Sequence, residues 1–300
     1  MTPIEAIKPL LHEPDNILEN EPMSRHTSFK IGGNAQVLAQ PTTTEELSSI
    51  WQTCRKHHIP LTILGDGTNV LVSDDGIDGV VVLTNKMTDI KIHPSGRITA
   101  AAGVRLAKLA EEACKAGLTG LAFASGIPGT VGGAIYMNAG AYGHDISDFC
   151  ESVTIQTEAG IVTESAKNMG FGYRKSNVQL ADALVLEATF KLEPGDPETI
   201  RSEMKDLNNR RRISQPLDYP SAGSTFKRPQ GYFAGRLIED SGLKGYSIGG
   251  AQVSPKHAGF IINTGHATAV DVKDLIEHVR QTVHENFGVW LEPEVRIIGG

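Results

Sequence analysis

The sequence predicts a protein of two or three domains in which helices and strands are mixed. The chain has 300 residues, about twice the length of a typical single domain. Runs of residues with helical spacing alternate with short apolar runs that are typical of strands. A cluster of proline, glycine and aspartate at residues 194–197 interrupts this pattern before a polar helical segment. A domain boundary is therefore predicted within residues 194–215.

The individual elements follow from local spacing and from turn residues. Leu47, Ile50 and Cys54 share one helical face, and threonines that can cap a helix precede them. Helices are predicted at residues 42–58, 106–116, 196–214, 235–241 and 269–287. Strands are predicted at residues 61–64, 70–72, 79–83, 153–156, 184–192 and 259–263, with a hairpin over residues 90–102.

The composition is that of a globular protein and excludes several classes of partner. A formal net charge of −7 argues against a general surface for nucleic acid or anionic membranes, although a local basic pocket for a phosphorylated ligand stays compatible with it. The first twenty residues contain no basic-then-apolar signal region, and no apolar run approaches a membrane span. A soluble, unprocessed chain is expected.

The cysteines predict a reducing compartment. Cys54, Cys114 and Cys150 are odd in number and scattered in apolar surroundings, which is typical of reduced thiols rather than a disulfide framework. A cytoplasmic location is expected. No metal is expected, since no spacing of histidine, cysteine and carboxylate residues matches a known ligand set.

Two glycine-rich segments are candidate cofactor loops. The first is Gly65-Asp-Gly-Thr-Asn69, and the second runs from Ser125 to Gly143 with little charge. Neither matches a Walker or Rossmann fingerprint. Their backbone N–H groups could form an anion-binding concavity suited to a diphosphate, and tight turns with no ligand are the alternative. We favour the cofactor loops.

The charged and hydroxyl candidates are ambiguous when each is taken alone. Arg174 beside Tyr173 is most often a surface pair, and the Ser224 hydroxyl most often bonds the local backbone. No nucleophile-elbow motif surrounds this serine. Glu292 and Glu294 are equally good acids by chemistry, and His257 is one of ten histidines, most of which must be structural or solvated.

Several blocks taken together resemble the family of UDP-N-acetylenolpyruvoylglucosamine reductases, from about Pro22 to Ile298. Any one block is weak, whereas their order and spacing are highly specific. The blocks are Arg25-His-Thr-Ser-Phe-Lys-Ile-Gly-Gly33, Leu64-Gly-Asp-Gly-Thr-Asn69, Gly126-Ile-Pro-Gly-Thr-Val-Gly-Gly133, Met137-Asn-Ala-Gly140, Tyr173-Arg174, Ala222-Gly-Ser224 and Glu294-Val-Arg296.

The resemblance implies an α+β fold with an FAD-binding domain of the vanillyl-alcohol-oxidase (PCMH) type and a C-terminal α+β substrate-binding domain. The implied bounds are residues 22–195 for the FAD-binding domain, with subdomains at about 22–83 and 84–195, then 196–214 for a connecting helix, 215–290 for the substrate-binding domain and 291–300 for a strand returning to the active site. The implied reaction is the NADPH-dependent, FAD-mediated reduction of UDP-N-acetylenolpyruvoylglucosamine to UDP-N-acetylmuramate in peptidoglycan synthesis, carried out by a monomer.

The resemblance also assigns residues to the cofactor. Those expected around FAD are Gly65, Gly67, Thr68, Asn69, Ser125, Ile127, Gly129, Thr130, Gly133 and Asn138, with Arg211 and Arg296 adding charge. Neither loop, 64–72 or 125–140, contains a histidine or cysteine that could tether flavin. Noncovalent FAD is therefore expected.

Three residues are assigned to catalysis by the same resemblance. Hydride from flavin N5 to the vinyl carbon leaves negative charge on the adjoining carbon, which spreads into the carboxylate. Arg174 would stabilise that charge, Ser224 would donate the proton, and Glu294 would polarise the region or relay protons.

The segment after Arg174 distinguishes two types within the family. The chain reaches the strand at Leu184 without the longer, tyrosine-bearing insertion of the type I enzymes, and so resembles type II. Tyr173 and His257 are expected to contact the substrate, with Arg228 a candidate for its diphosphate.

Two rival interpretations stay open at this stage. One is another flavin oxidase or dehydrogenase of the same cofactor fold, acting on an alcohol or hydroxy acid. The other is a catalytically silent flavin or sugar-nucleotide sensor, because cofactor binding alone does not establish turnover. A sensor would not need Arg174, Ser224 and Glu294 together, which favours the enzyme.

Overall fold

The computed structural model describes residues 2–181 and 183–300. Within these ranges the chain forms seven α-helices and nineteen β-strands, with short 3₁₀ turns between them. The helices are α1 (Pro3–Ile7), α2 (Thr44–Lys56), α3 (Leu106–Lys115), α4 (Val131–Met137), α5 (Pro197–Ser214), α6 (Ala234–Asp240) and α7 (Ala269–Phe287). The strands are β1 (Ile17–Pro22), β2 (Asn34–Ala39), β3 (Leu61–Leu64), β4 (Val70–Val72), β5 (Ile77–Leu83), β6 (Ile90–His93), β7 (Arg97–Ala101), β8 (Leu118–Thr119), β9 (Gly140–Ala141), β10 (His144–Asp145), β11 (Cys150–Thr157), β12 (Gly160–Ser165), β13 (Leu184–Lys191), β14 (Glu193–Pro194), β15 (Ser221–Ser224), β16 (Ser247–Ile248), β17 (Ala251–Val253), β18 (Phe260–Asn263) and β19 (Arg296–Ile298).

All the predicted helices and strands are confirmed, with bounds shifted by a few residues. Several elements were not predicted from the sequence, among them α1, α4, β1, β2 and β12. Strand β12 lies at the edge of its sheet, and none of its residues is buried. Its sequence therefore lacks the apolar face by which a strand is recognised.

The chain divides into two compact units, neither of which is continuous in sequence. Unit 1 contains the residues up to Leu18, Leu38–Asp66 and Val81–Arg211, and unit 2 contains Glu19–Val37, Gly67–Val80 and Arg212–Gly300. Three of the five divisions fall inside β1, β2 and β5, strands of a sheet whose order is β1-β2-β5-β3. The other two fall between Asp66 and Gly67 and, inside α5, between Arg211 and Arg212.

Unit 1 is built on a five-stranded antiparallel sheet of order β12-β11-β13-β7-β6. Helix α3 buries Leu106, Leu109 and Ala113, which recur at helical spacing, and Gly117 follows the helix with a φ of +66°. The core of the unit joins this helix to the sheet through Ile98 and Phe190. Such burial, at about 25 cal/mol per Å² of apolar surface, is the main stabilising contribution.

Unit 2 is built on a four-stranded antiparallel sheet of order β15-β18-β17-β16, and helix α7 packs against β17. Leu237, Ile261 and Leu275 lie in its core. The last strand, β19, pairs in parallel with β4, and Arg296 lies opposite Val70.

Carboxylates fix the start of α7 in unit 2. Thr268 caps the helix, and Asp271 accepts hydrogen bonds from the backbone N–H groups of Thr268, at 3.0 Å, and Gly250, at 3.1 Å. Asp74 accepts the N–H of Ala269 at 2.8 Å. The hydrogen bond from Thr268, followed by that from Gly250, lowers the pKa of Asp271. Several otherwise unpaired helix N–H groups are thereby satisfied.

Across residues 2–181 and 183–300, no helix is long and apolar enough to cross a membrane. The same residues contain no group of three or more histidine, cysteine or acidic side chains arranged to hold a metal ion.

We predict that Asp271→Asn lowers the free energy of unfolding by about 1 kcal/mol at pH 7. The pKa of Asp271 is lower in the folded protein than its ordinary value of 3.8, so its stabilisation is present above that value and is lost as the pH falls through the folded pKa. Urea unfolding at pH 7 and pH 3 measures the difference, with exposed Asp274→Asn as control. An equal loss at both pH values would contradict the prediction.

Candidate active site

Two glycine-rich segments meet in unit 1. Gly65 follows β3 and faces Thr130, so that a Cβ added at Gly65 would lie 2.2 Å from Thr130 Oγ1. Asp66 accepts a hydrogen bond from Arg105 Nε at 2.9 Å, and Arg105 forms an isolated β-bridge with Thr130. The start of the first segment therefore packs directly against the second segment.

The second segment turns into helix α4. Gly129 has a φ of +124°, which favours glycine, and its carbonyl accepts the N–H of Leu106 at 3.0 Å. Thr130 caps the helix by accepting the N–H of Gly133 at 3.5 Å. The predicted cofactor residues Gly129, Thr130 and Gly133 thus lie together at the start of α4.

Gly133 has no steric reason within unit 1 to be glycine. It is exposed, has a helical conformation, and the nearest atom to an added Cβ would be Thr130 Oγ1 at 3.7 Å. By contrast, a Cβ on Gly132 would lie 3.0 Å from that of Ala102. An exposed helical glycine costs about 1 kcal/mol relative to alanine, so its presence is consistent with close approach of a bound molecule.

Helix α5 lies beside the start of the second segment. Ser125 accepts a hydrogen bond from Asn208 Nδ2 at 3.2 Å, and Ile127 is half-buried. A Cβ on Gly126 would lie 2.4 Å from Asn208 Oδ1 and 3.4 Å from Arg211 Cδ. Burial lowers the pKa of the Arg211 guanidinium. A partly desolvated cation therefore lies next to this loop.

Asn138 joins the glycine-rich segment to Arg174. It ends α4 in the left-handed conformation, with φ 42° and ψ 60°, and is buried. Its side chain donates to Gly172 O at 3.0 Å and accepts the N–H of Ser147 at 3.1 Å. The Arg174 guanidinium donates to Asn138 O at 3.4 Å and to Gly140 O at 3.0 Å. Two blocks that are separate in sequence thus form one assembly.

The Arg174 side chain is largely enclosed. It is 17% exposed, and its Nη1 lies 3.6 Å from Asp145 Oδ1. The guanidinium also stacks on Tyr173, 5.0 Å from the ring centroid. Tyr173 as a whole residue is 53% exposed.

In unit 2, Asn69 ties the first loop to the end of the chain. Its Nδ2 donates to Glu294 O at 3.2 Å, and its carbonyl accepts the N–H of Arg296 at 3.0 Å. Gly67 has a φ of +61°, and a Cβ there would lie 2.3 Å from His26 O. The loop is thereby held against the C-terminal segment.

Ser224 and Glu294 lie on adjacent backbone segments of unit 2. Ser224 is exposed at the end of β15, and the carbonyl of Thr225 accepts the Glu294 N–H at 2.8 Å. Glu292, the alternative acid, is 70% exposed and forms an ion pair with Lys227. Glu294 is half-buried. The two carboxylates, equally good acids by chemistry alone, therefore differ in their exposure.

The remaining predicted substrate residues also lie in unit 2. Arg228 is exposed and stacks over Phe233, 4.0 Å from the ring centroid. His257 is half-buried, and its Nδ1 accepts the N–H of Gly259 at 3.1 Å. Burial lowers the pKa of His257, which favours the neutral imidazole at neutral pH.

Two residues with positioning roles were not assigned from the sequence. Ser28 donates to Ser221 O at 2.7 Å and to Thr68 O at 3.4 Å, and so links the first loop to the strand that carries Ser224. Asn208 bonds Ser125, as described above. Ser28 lies within a block that resembles the reductase family, but no local sequence pattern indicated the role of its hydroxyl.

Comparisons with known proteins support this architecture. A family model described as "FAD binding domain" matches residues 35–165. A second, described as "UDP-N-acetylenolpyruvoylglucosamine reductase, C-terminal domain", matches residues 215–298.

Similar proteins match nearly the whole chain. The UDP-N-acetylenolpyruvoylglucosamine reductase of Caldanaerobacter subterraneus subsp. tengcongensis is 53% identical over 297 residues, covering 99% of this chain and 98% of the relative. That of Clostridium botulinum strain Hall is 52% identical over 286 residues, covering 95% and 93%. The crystal structure of the reductase from Thermus caldophilus has a TM-score of 0.80 at 34% identity, covering 94% and 98%.

The matches first define the class: the chain is an FAD-binding oxidoreductase with an α+β fold. The chain belongs to the family of UDP-N-acetylenolpyruvoylglucosamine reductases. The predicted fold class and family are thereby confirmed. The glucose dehydrogenase Phl p 4.0202 shares only the fold, with a TM-score of 0.51 at 15% identity over 72% of this chain and 51% of that one.

The residues of unit 1 fit a flavin dinucleotide. Glycine backbone N–H groups, the Thr130 hydroxyl and the half-buried Arg211 offer donors and charge suited to a diphosphate, whereas the Ser125 hydroxyl already donates to Ala122 O at 2.8 Å. The exposed backbone at Gly133 leaves room for close approach. This chemistry agrees with the matching family model.

We predict that Gly133→Ala keeps or raises the free energy of unfolding but lowers the FAD bound per polypeptide. The methyl group favours the helix by about 0.5–1 kcal/mol and would occupy space that FAD is expected to need. Flavin absorbance per protein, after acid release of the noncovalent FAD, measures occupancy, and urea unfolding measures stability.

Gly65→Ala is the contrasting variant, since its Cβ would collide with Thr130 Oγ1 at 2.2 Å. It should lower both stability and FAD content. Full FAD occupancy in Gly133→Ala would show that this position is not next to the cofactor.

Proposed function

We propose that this chain reduces the enolpyruvyl group of UDP-N-acetylenolpyruvoylglucosamine to form UDP-N-acetylmuramate for peptidoglycan synthesis, with NADPH as the reductant and noncovalent FAD as the cofactor. The relatives named for this activity match almost the whole chain at up to 53% identity. The structural observation that carries the proposal is the enclosed Arg174 guanidinium, anchored on two backbone carbonyls. A fixed cation suits a reaction that creates negative charge on its substrate.

The proposal assigns each segment of the chain to one function. Residues 22–195, with subdomains at about 22–83 and 84–195, would bind FAD, and residues 215–290 would bind the UDP-sugar. Residues 196–214 would connect them, and residues 291–300 would return a strand to the active site. The enzyme would act as a cytoplasmic monomer, and the three buried, unpaired cysteines suit a reducing compartment.

Arg174 would act on the charge that develops during reduction. FAD, when bound and reduced by NADPH, would supply hydride to the vinyl carbon of the substrate. The adjoining carbon then becomes electron-rich, and its charge spreads into the carboxylate. A planar guanidinium can bind that carboxylate through two parallel hydrogen bonds, and it can do so most strongly when the charge is greatest.

Ser224 would donate the proton that completes the reaction. Its exposed position at the end of β15 leaves the hydroxyl accessible to a substrate. A serine hydroxyl is a weak acid, but the driving force toward a carbanion-like centre is large. Such a positioned acid contributes about 10²–10⁴-fold to a rate.

Glu294 would polarise this region or relay a proton to it. Its backbone N–H bonds Thr225 O, directly after Ser224, whereas Glu292 is paired with Lys227. Glu292 is the weaker candidate because its side chain is 70% exposed and its charge is screened by solvent, whereas Glu294 is half-buried.

Three further residues would contact the sugar nucleotide. Tyr173 offers an exposed ring, and Arg228 offers an exposed cation for the diphosphate. For His257, the Nδ1 atom accepts the Gly259 N–H, so the neutral ring would carry its proton on Nε2. His257 would therefore donate a hydrogen bond to the substrate without adding charge.

The proposal is tested by incubating the FAD-loaded protein with NADPH, with and without the enolpyruvyl substrate. We expect one NADPH to be consumed for each UDP-N-acetylmuramate formed, as measured by absorbance and mass spectrometry. Consumption that does not depend on the substrate would indicate a different oxidase. Binding without consumption would indicate a sensor.

We predict that Arg174→Lys lowers kcat by about 10²–10³-fold, the range for losing one donor aimed at developing charge. Lysine keeps the charge but loses the planar fork. FAD content should stay unchanged, and the protein should remain folded. Arg97→Lys is the control, because the Arg97 guanidinium also donates two hydrogen bonds, to the Glu151 carboxylate at 2.5 and 2.7 Å, elsewhere in unit 1. Activity within a few-fold of wild type would exclude this role for Arg174.

A further inference from the structure

Arg174 occupies a backbone conformation that arginine rarely adopts. Gly172 and Lys175 exchange backbone hydrogen bonds of 3.0 and 3.1 Å, which makes Tyr173 and Arg174 the two central residues of a tight turn. The φ of Arg174 is +53°. Glycine or asparagine is usual at such a position. A conformation of this kind costs about 1–3 kcal/mol and persists only where surrounding contacts enforce it.

Gln179 supplies a contact to the strained residue itself. Its Nε2 donates to Arg174 O at 3.1 Å and to Tyr136 O, in the last turn of α4, at 2.7 Å. A single amide group thus joins the Arg174 peptide to the helix that follows the glycine-rich loop. Ser176 also bonds Tyr136 O, at 2.8 Å, but it anchors the chain after the turn rather than Arg174.

The short connection after Arg174 makes this contact possible. A 3₁₀ turn over Asn177–Gln179 follows Ser176 directly, and it brings the Gln179 side chain back to the turn. The amide that bonds Arg174 O therefore lies only five residues further along the chain, and it reaches Arg174 because the connection is short.

We propose that Gln179 is a positioning residue that holds the Arg174 peptide in its left-handed conformation and thereby aims the guanidinium at the substrate. This inference rests on the function proposed above for Arg174. Without the Gln179 donors, the Arg174 peptide relaxes toward negative φ, and the guanidinium leaves the carbonyls of Asn138 and Gly140. Misplacement of a catalytic group by about 1 Å can cost about 10²-fold in rate.

Two variants test whether the donors of Gln179 matter. Gln179→Ala removes the side chain, and Gln179→Glu keeps its length while replacing both donors with acceptors. Both should lower kcat/KM for the enolpyruvyl substrate by about 10–100-fold. FAD content and the rate of flavin reduction by NADPH should be unchanged. Gln40→Ala is the control, since it removes a hydrogen bond to Asn85 elsewhere in unit 1. Wild-type kcat/KM in Gln179→Glu would overturn the proposal.

A double-mutant cycle tests whether Gln179 acts through Arg174. In the Arg174→Ala background, Gln179→Ala should change kcat/KM by less than about threefold, because there is no guanidinium left to position. A general structural role would instead give the same fold-loss in both backgrounds. Equal losses would therefore overturn the proposal.

A measurement without turnover separates this inference from the proposed reaction. Hydrogen–deuterium exchange should be faster at residues 172–175 in Gln179→Ala than in wild type, and unchanged in β13. If exchange rises but the wild type does not reduce the enolpyruvyl substrate, the anchoring stands and the proposed reaction fails. Unchanged exchange at residues 172–175 would overturn the anchoring itself.

Discussion

The left-handed Asn138 at the end of α4 is the constraint on which the arrangement of unit 1 depends. At this residue the chain leaves the helix, and the buried amide bonds Gly172 O and Ser147 N while the carbonyl receives Arg174. Asparagine suits the position because it tolerates αL and carries both a donor and an acceptor. The same helix is capped at its start by Thr130, in the proposed cofactor loop. One short helix therefore relates the cofactor loop to the catalytic cation proposed here.

Asn69 makes a comparable connection in unit 2. Its side-chain amide bonds Glu294 O, and its backbone carbonyl bonds the N–H of Arg296. These two bonds hold Asn69 beside the C-terminal segment. Parallel pairing of β4 with β19 extends this contact. The proposed roles of Ser224 and Glu294 depend on it, because the C-terminal segment also bonds the backbone beside Ser224.

The sequence predicted what local chemistry determines. Helices such as α3 were recognisable from apolar spacing and a terminal glycine, and the glycine-rich segments were recognisable as close-approach backbone. The pairing of β4 with β19 could not be predicted, since short parallel partners far apart in sequence carry no mutual signal. Chemistry alone did not separate Glu292 from Glu294, which only the resemblance selected, and the ion pair of Glu292 with the distant Lys227 could not be predicted. The positive φ of Arg174 could not be predicted from the sequence, because arginine rarely adopts this conformation.

The most direct test of the proposed chemistry separates the two half-reactions in Ser224→Ala. Only the second half-reaction places a proton on carbon, so flavin reduction by NADPH should stay near the wild-type rate. In anaerobic stopped-flow, reoxidation by the enolpyruvyl substrate should slow by at least about 10²–10⁴-fold, the range for a positioned general acid. Reoxidation within about tenfold of wild type, a barrier change of roughly 1.4 kcal/mol, would contradict the account and would make Glu294 the leading candidate for the acid.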